Sequence, residues 1–278
     1  MQIKLTFIVA TVAVMAATAF GKPVETQHIC GNNGAVDPAL EQHIADRVAA
    51  SRKAGDNQRA AVVVPVYWHV ITDGTSGKAT STQIQNTISL MNAEYAGTGF
   101  SFQLAGTDTT VNSNWYNNVN QGTSAEAAMK NALRKGGPES LNIYTVSFGN
   151  SGLLGYATFP WSYSSAPKND GLVITANTWV GGSYPNYGTG KVFVHEAGHW
   201  FGLYHVFQGG CSGSGDGVDD TAPQSAVTRG CPTGQDSCPG GGLDNVHNHM
   251  DYSSDACRTD FTPGQISRMQ SISGTYRF

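Results

Sequence analysis

Charged residues are scarce in this chain of 278 residues. They make up 13% of the sequence, the formal net charge is −4, and no run of Lys or Arg is longer than two residues. Nucleic acids and anionic membrane surfaces attract proteins through clusters of basic side chains. We therefore expect neither nucleic acid nor a membrane surface among the partners of this protein.

Long apolar runs are also lacking. The apolar run at residues 5–15 is too short to span a bilayer, which takes about 20 residues. Lys4 is the only charge among the first nineteen residues, and the small residues Ala17, Thr18 and Ala19 follow the run. This pattern is typical of a cleaved secretory signal, so we predict a signal peptide at residues 1–19 and a secreted, extracellular mature protein.

Cysteines are few, and no two of them have the C-x-x-C spacing. Four of the five lie within 47 residues (Cys211, Cys231, Cys238 and Cys257), whereas Cys30 stands alone near the amino terminus. In an oxidising compartment a set of four favours two disulfides, and the residues alone leave all three pairings open. Zinc binding by these cysteines is the competing interpretation, which the compartment and the spacing disfavour.

Histidines are concentrated in one run, HEAGHWFGLYH, which begins at His195. His195 and His199 are four residues apart, so a helix places both on one face. Two imidazoles in this arrangement bind one zinc ion, and Glu196 between them reaches a water molecule on that ion. Gly202 would end the helix, and the chain can then turn so that His205 becomes a third ligand.

The pattern HExxHxxGxxH resembles the zinc signature of the metzincin metalloproteases, which also carry a methionine turn downstream, as in the segment NHMDY here. The sequence after the signature is similar to the pappalysin family, most of all to its secreted fungal-type members. The similar segments run from GGCSGSGDGVDDTAPQ to HNHMDYSSDACRTDFTPGQISRM. The similarity covers residues 62–278. It implies that His195, His199 and His205 bind one catalytic zinc ion and that Glu196 acts as general base and acid toward a zinc-bound water.

The resemblance implies further roles near the methionine turn. Met250 would form a hydrophobic floor beneath the metal, and Tyr252 would donate a hydrogen bond to the oxyanion. The alternative for each is an ordinary buried side chain. Among the three possible disulfide pairings, the resemblance favours Cys211–Cys238 with Cys231–Cys257.

Residues 20–60 have the features of a prosegment. Asp37 and Pro38 predict a helix start, and the polar residues 51–59 suit proteolytic processing. Cys30 would then have a role, since a thiolate reaching the zinc ion would keep the enzyme latent, as prosegment cysteines do in several metzincin families. The alternative is an unpaired thiol of no consequence in a discarded peptide.

The remaining chain, residues 61–278, predicts one catalytic domain of mixed α/β (α+β) class. The resemblance implies a metzincin-like zincin fold, with a mixed twisted sheet, an active-site helix above the cleft and an irregular, disulfide-bridged C-terminal half. Residues 153–159 are our candidate for the edge strand that pairs with substrate, and the alternative is a simple connecting strand. We further predict strands at residues 62–71 (broken at Pro65), 101–104, 141–148 and 172–175, and helices at 124–134, at 190–201 and from an N-cap at Ser81.

The segment GDGVDDT is acidic and offers hard oxygen ligands. Asp216, Asp219, Asp220 and Thr221 are donors of the kind that calcium prefers, although their spacing differs from that of an EF-hand loop. The alternative is a solvated acidic turn.

These features together predict a zinc-dependent endopeptidase that is secreted as a proenzyme and acts as a monomer on protein or peptide substrates. One alternative is a catalytically silent, zinc-bearing binding or inhibitory protein. Another is a zinc hydrolase of non-peptide amides.

Overall fold

The structure is a computed structural model that describes residues 29–53, 61–149 and 151–278. The predicted signal peptide lies outside these residues, as do residues 20–28 of the predicted prosegment and most of its processing region. The domain boundaries that we place at residues 19 and 60 therefore remain predictions. Within the described residues, no helix is both long and apolar enough to cross a membrane.

The described residues contain six α-helices and five strands, together with two short 3₁₀ turns. The helices are α1 (Pro38–Lys53), α2 (Ser81–Glu94), α3 (Ser113–Asn118), α4 (Ser124–Leu133), α5 (Lys191–Trp200) and α6 (Pro263–Tyr276). The strands are β1 (Val62–Thr72), β2 (Phe100–Val111), β3 (Leu141–Val146), β4 (Gly155–Ala157) and β5 (Leu172–Thr175).

The five strands form one mixed sheet in the order β2-β1-β3-β5-β4. Four strands are parallel, and β4 pairs antiparallel with β5 at the edge. Every residue of the central strand β3 is buried, as expected where a sheet is covered on both faces. The fold is the α/β class that the sequence predicts, with a short antiparallel strand at one edge.

Three strand predictions were wrong in extent. β1 is not broken at Pro65 but runs through it, because β3 pairs with β1 only from Val66 onward and Pro65 has a strand neighbour on one side only. β2 continues to Val111, well beyond the predicted end at residue 104. The strand predicted at 141–148 ends at Val146, and Phe148 has a φ of 53°, which a strand does not accommodate.

Helix starts follow from local capping chemistry. The N-cap of α2 is Thr80 rather than the predicted Ser81, because the Thr80 hydroxyl accepts from the Gln83 backbone N–H and the Gln83 side chain accepts in return from the Thr80 backbone N–H. The active-site helix α5 starts after Gly190, whose φ of 94° favours glycine. A Cβ at Gly190 would also lie 2.7 Å from Leu90, so α2 packs directly against this start.

The segment between α5 and α6, residues 201–262, is described throughout and contains neither a helix nor a strand. Two interleaved disulfides, Cys211–Cys238 and Cys231–Cys257, close loops of similar length in it. This is the pairing that the family resemblance implies. The cross-links restrict a glycine-rich region that has few apolar side chains of its own.

The carboxyl end of the chain is joined to the end of α5 by a buried ion pair. Arg277 lies 2.9 and 3.1 Å from the two carboxylate oxygens of Asp170, stacks 3.7 Å above the Trp200 ring and donates to the Trp200 carbonyl. Asp170 also accepts from the Trp200 indole and from Thr158, just beyond β4. One carboxylate therefore ties α6, α5 and the edge strand together.

We predict that Asp170→Asn destabilises the folded chain by about 3–5 kcal/mol, because it leaves the buried Arg277 guanidinium without its counter-charge. Burial opposes ionisation of Asp170, but Arg277 outweighs it, and the pKa of the carboxyl lies below its usual value. The contribution of this carboxylate is thus present above about pH 4 and is lost as the pH falls through the lowered pKa. The free energy of unfolding in urea, measured from pH 7 to pH 3 for wild type and the variant, tests this contribution. The control is Asp260→Asn, since Asp260 is exposed. Equal stability of the two variants at pH 7 would contradict the assignment.

Candidate active site

The first two histidines of the run lie on one face of α5, as their spacing predicts, and α5 ends just beyond them. Gly202 follows with a φ of 106°, and the Leu203 N–H donates to the Gly198 carbonyl to close the helix end. A Cβ at Gly202 would lie 2.8 Å from Ile272, so both conformation and space call for glycine here. The turn brings His205 back toward the helix.

The three imidazoles and one thiol converge on a single point. His199 Nε2 lies 3.1 Å from His205 Nε2, which is 3.2 Å from His195 Nε2. Cys30 Sγ lies 3.4 Å from His199 Nε2, and all four ligand atoms are within 4.8 Å of one another and buried. A tetrahedral zinc ion with ordinary bond lengths separates its nitrogen ligands by about 3.3 Å and nitrogen from sulfur by about 3.6 Å.

The hydrogen bonds of these histidines show why a cation fits. Nδ1 of His195 lies 2.7 Å from the His249 carbonyl and Nδ1 of His199 lies 2.7 Å from the Leu203 carbonyl, so each Nδ1 carries the hydrogen. Both Nε2 atoms then present lone pairs toward His205 Nε2, which has at most one hydrogen to offer to the two of them. The set is therefore repulsive as it stands, and a shared cation removes the repulsion.

Burial also favours the neutral form that metal ligation requires. It lowers the pKa of His199 to about 4 and the pKa values of His195 and His205 well below their usual range. The three rings thus have free lone pairs at neutral pH.

Glu196 lies beside the four donors and faces the edge strand. Its Oε2 is 3.4 Å from Cys30 Sγ, whereas Oε1 has no hydrogen-bond partner among the described residues. Burial raises the pKa of Glu196 to about 8, close to the range in which a carboxyl can both take and give a proton. A Cβ at Gly155 on β4 would lie 2.8 Å from Oε1, so glycine there lets the strand approach the carboxylate.

The predicted prosegment runs along β4. The Gly31 N–H donates to the Gly155 carbonyl, and the Ile29 carbonyl accepts from the backbone of β4 and of the residue before it. The Asn32 side chain both donates to and accepts from the Ala157 backbone, at 2.9 Å in each case. The strand predicted at residues 153–159 is regular only at 155–157, and the described N-terminal segment occupies its free edge.

Tyr252 lies against two of the histidine rings, with centroids 4.8 Å from His205 and 5.9 Å from His195. Its hydroxyl is 2.7 Å from Asn33 Oδ1 and 3.1 Å from the Cys30 carbonyl oxygen. Burial raises the pKa of Tyr252, so the hydroxyl keeps its proton and remains a donor. In this state the donor is taken by the N-terminal segment.

Met250 lies beneath α5, as expected for a methionine turn. It is fully buried, and a Cβ added at Gly198 would lie only 2.4 Å from its sulfur. The Met250 carbonyl accepts from the Val206 N–H, which couples the turn to the residue after His205. Met250 thus supports the helix and the turn that carry the three histidines.

Several residues of the site were not anticipated from the sequence. Gln208 accepts from the His205 N–H at 2.6 Å and donates to the Gly34 carbonyl, which links the third histidine to the N-terminal segment. Asn32 and Asn33 lie two and three residues after Cys30, and their amides are the only sequence signal for the contacts they make. Gln208 carries no such signal, because its partners are fixed by the tertiary fold.

The four residues that we considered as calcium ligands do not all lie together. Asp216 and Asp219 line one cavity of about 190 Å³ with Thr221, and Asp216 Oδ2 is buried without a partner among the described residues. Asp220 lies outside this set, because its carboxylate accepts from Thr262 and from the Gly264 N–H at the start of α6. Asp220 thus supports the first turn of α6, whose N-cap is Thr262.

Sequence and structure comparisons place this chain in a known family. The family model described as pregnancy-associated plasma protein-A matches residues 139–273. An extracellular metalloprotease of Pyricularia oryzae is 43% identical over 95% of both chains, and one of Sordaria macrospora is 45% identical over 100% of this chain and 98% of that one.

Solved structures agree on the fold. A promirolysin mutant of Tannerella forsythia has a TM-score of 0.70 at 23% identity and covers 90% of this chain and 94% of that chain. Mirolysin in complex with a compound has a TM-score of 0.68 at 27% identity and covers 79% and 97%. The fold is thus that of the metzincin class, and the chain is a zinc metalloendopeptidase. Within that class, the chain belongs to the pappalysin family, as the resemblance of its sequence indicated.

We predict that Gly198→Ala lowers stability by about 1–3 kcal/mol, because the new methyl overpacks against the Met250 sulfur. Met250→Ala should be destabilising alone. The variant with both substitutions should recover part of the lost stability, since the space left by the Met250 side chain accepts the methyl group added at residue 198. Thermal unfolding of the four proteins in a double-mutant cycle measures the coupling. Strictly additive effects would show that Met250 does not support α5 in this way.

Proposed function

We propose that this chain is secreted as a latent proenzyme whose catalytic domain, residues 61–278, is a zinc endopeptidase. The observation that carries the proposal is the convergence of three neutral imidazoles around one point, with the Glu196 carboxylate beside it. His195, His199 and His205 would hold the zinc ion. Relatives named extracellular metalloproteases support the location, and so does the sequence pattern of residues 1–19.

The reaction requires that a proton move from water to the leaving amide nitrogen. A bound zinc ion supplies Lewis-acid polarisation and lowers the pKa of water from about 15.7 toward 7. Glu196 then takes the water proton on its free oxygen, Oε1, and passes it to the leaving nitrogen. Its burial beside β4 places this carboxylate where a peptide paired with the strand would lie.

Tyr252 would stabilise the charge that develops on the carbonyl oxygen. Its hydroxyl stays protonated and lies on the same side of the site as His195 and His205. It becomes available once Asn33 and the Cys30 carbonyl leave it. A donor placed in advance at this position lowers the barrier without reorganisation during the reaction.

Latency would depend on Cys30 as the fourth ligand. Its sulfur lies within contact distance of both His199 Nε2 and Glu196 Oε2, so it takes the position that water needs. The segment around it also covers the edge of β4 and the Tyr252 hydroxyl. Removal of residues 20–60 would therefore free the fourth ligand position, the strand edge and the oxyanion donor together.

The rival functions are less well supported. A silent zinc-bearing binding protein has no use for a carboxyl group buried at Glu196. Burial of this group costs folding free energy, and proton transfer is the function that would make use of it. A hydrolase of small amides has no use for a strand edge whose backbone groups already bind an extended segment. Calcium binding stays a prediction for Asp216, Asp219 and Thr221.

We predict that Glu196→Gln leaves zinc bound and lowers peptide cleavage by about 10²–10⁴-fold, because it removes only the proton carrier. His199→Ala should lose both zinc and activity. Metal content by plasma mass spectrometry and casein cleavage by the processed enzyme, with and without a chelator, provide the test. Full casein cleavage by the Gln variant would refute the role of Glu196, and hydrolysis of small amides without casein cleavage would favour the rival hydrolase.

We also predict that Cys30→Ala makes the unprocessed chain partly active, because without the sulfur ligand the segment over β4 and Tyr252 is held only by its hydrogen bonds and substrate can displace it. The matched control is Glu41→Gln, which breaks the ion pair of α1 with Arg268 and leaves the thiol intact. That control should remain latent. Casein cleavage is measured on chains whose intact mass is verified before and after the assay. An unprocessed Ala variant as silent as wild type would exclude the cysteine as the latch.

A further inference from the structure

We propose that Glu94, at the end of α2, is a positioning residue for the metal centre and acts through His249. The inference rests on the proposed function, since it takes His195 as a zinc ligand. The structure carries it through three contacts: two link Glu94 to the His195 ring through His249, and the third links Glu94 to the start of α5.

The first contact joins the carboxylate to the methionine turn. Glu94 Oε2 lies 3.0 Å from Nε2 of His249, whose side chain is fully buried. Neither ring nitrogen of His249 has a hydrogen bond of regular geometry among the described residues, so the close approach of the Glu94 carboxylate to Nε2 is the polar contact that holds this ring. The His249 ring also makes an apolar contact with Phe261, and the two ring centroids are 4.7 Å apart.

The second contact joins His249 to the site. Its carbonyl oxygen lies 2.7 Å from His195 Nδ1, and this bond fixes both the tautomer and the orientation of the ligand ring. The His249 N–H donates to the Asp260 carbonyl. An imidazole held by Glu94 therefore positions the peptide group that orients the first zinc ligand.

The third contact joins the same carboxylate to α5. Glu94 Oε1 lies 3.1 Å from Nζ of Lys191, the first residue of the active-site helix. Lys191 also donates to the Arg258 carbonyl. One carboxylate thus holds together the two segments that supply His195 and the acceptor for its Nδ1.

The chain contains a matched control for this arrangement. Asp108 also bridges a buried histidine and a lysine, with Oδ1 2.9 Å from His69 Nδ1 and Oδ2 2.8 Å from Lys135 Nζ. These residues lie on β1, on β2 and just after α4, and none of them contacts a zinc ligand. Asp108→Asn therefore removes a charge pair of the same kind, although a more exposed one, without touching the metal site.

The experiment measures zinc affinity of the full-length chain by chelator competition for wild type, Glu94→Gln and Asp108→Asn. We expect the Gln variant to bind zinc about 10–100-fold more weakly and the Asn variant to match wild type, although both unfold at lower temperature without metal. The absorption spectrum of the cobalt-substituted chain should shift only in the Gln variant. Neither result follows from a loss of stability alone.

A second variant keeps the test decisive if Glu94→Gln does not fold. His249→Phe retains the ring contact with Phe261 and the backbone carbonyl but loses the polar contact with Glu94, so it should show the same loss of zinc affinity. Wild-type zinc affinity in either folded variant would overturn the role of Glu94. Absence of zinc binding by wild type would instead overturn the proposed function.

Discussion

The approach of His199 Nε2 and His195 Nε2 to 3.1 and 3.2 Å from His205 Nε2 is the constraint on which the rest of the site depends. Two of these rings direct lone pairs inward because their Nδ1 hydrogens are bound by backbone carbonyls. Without a cation the arrangement is repulsive, and with one it becomes a ligand set. The fold must therefore hold the rings in place whether or not the metal is bound.

Several distant parts of the chain contribute to that support. Met250 packs beneath α5 from the irregular segment, and Arg277 binds the carbonyl at the end of the same helix from the carboxyl terminus. The N-terminal segment contacts the site through Cys30 and its backbone bonds to β4. The candidate metal site is thus where the sheet, the bridged loops and the described N-terminal segment meet.

Local features of the site could be predicted from the sequence, and long-range ones could not. His195 and His199 share a helix face because of their spacing alone, and Gly202 predicts the turn that follows. Asp170, Gln208 and Glu94 have no sequence signal, since their partners lie far along the chain and are set by packing. The error at Pro65 has the same origin, because its tolerance depends on where a neighbouring strand begins to pair.

X-ray absorption at the zinc edge of the purified unprocessed chain is the most direct test of this account. We expect one zinc ion per chain with three nitrogen neighbours at about 2.0–2.1 Å and one sulfur neighbour at about 2.3 Å. A chain without stoichiometric zinc would contradict the metal centre itself. A shell of nitrogen and oxygen without sulfur would contradict the position assigned to Cys30.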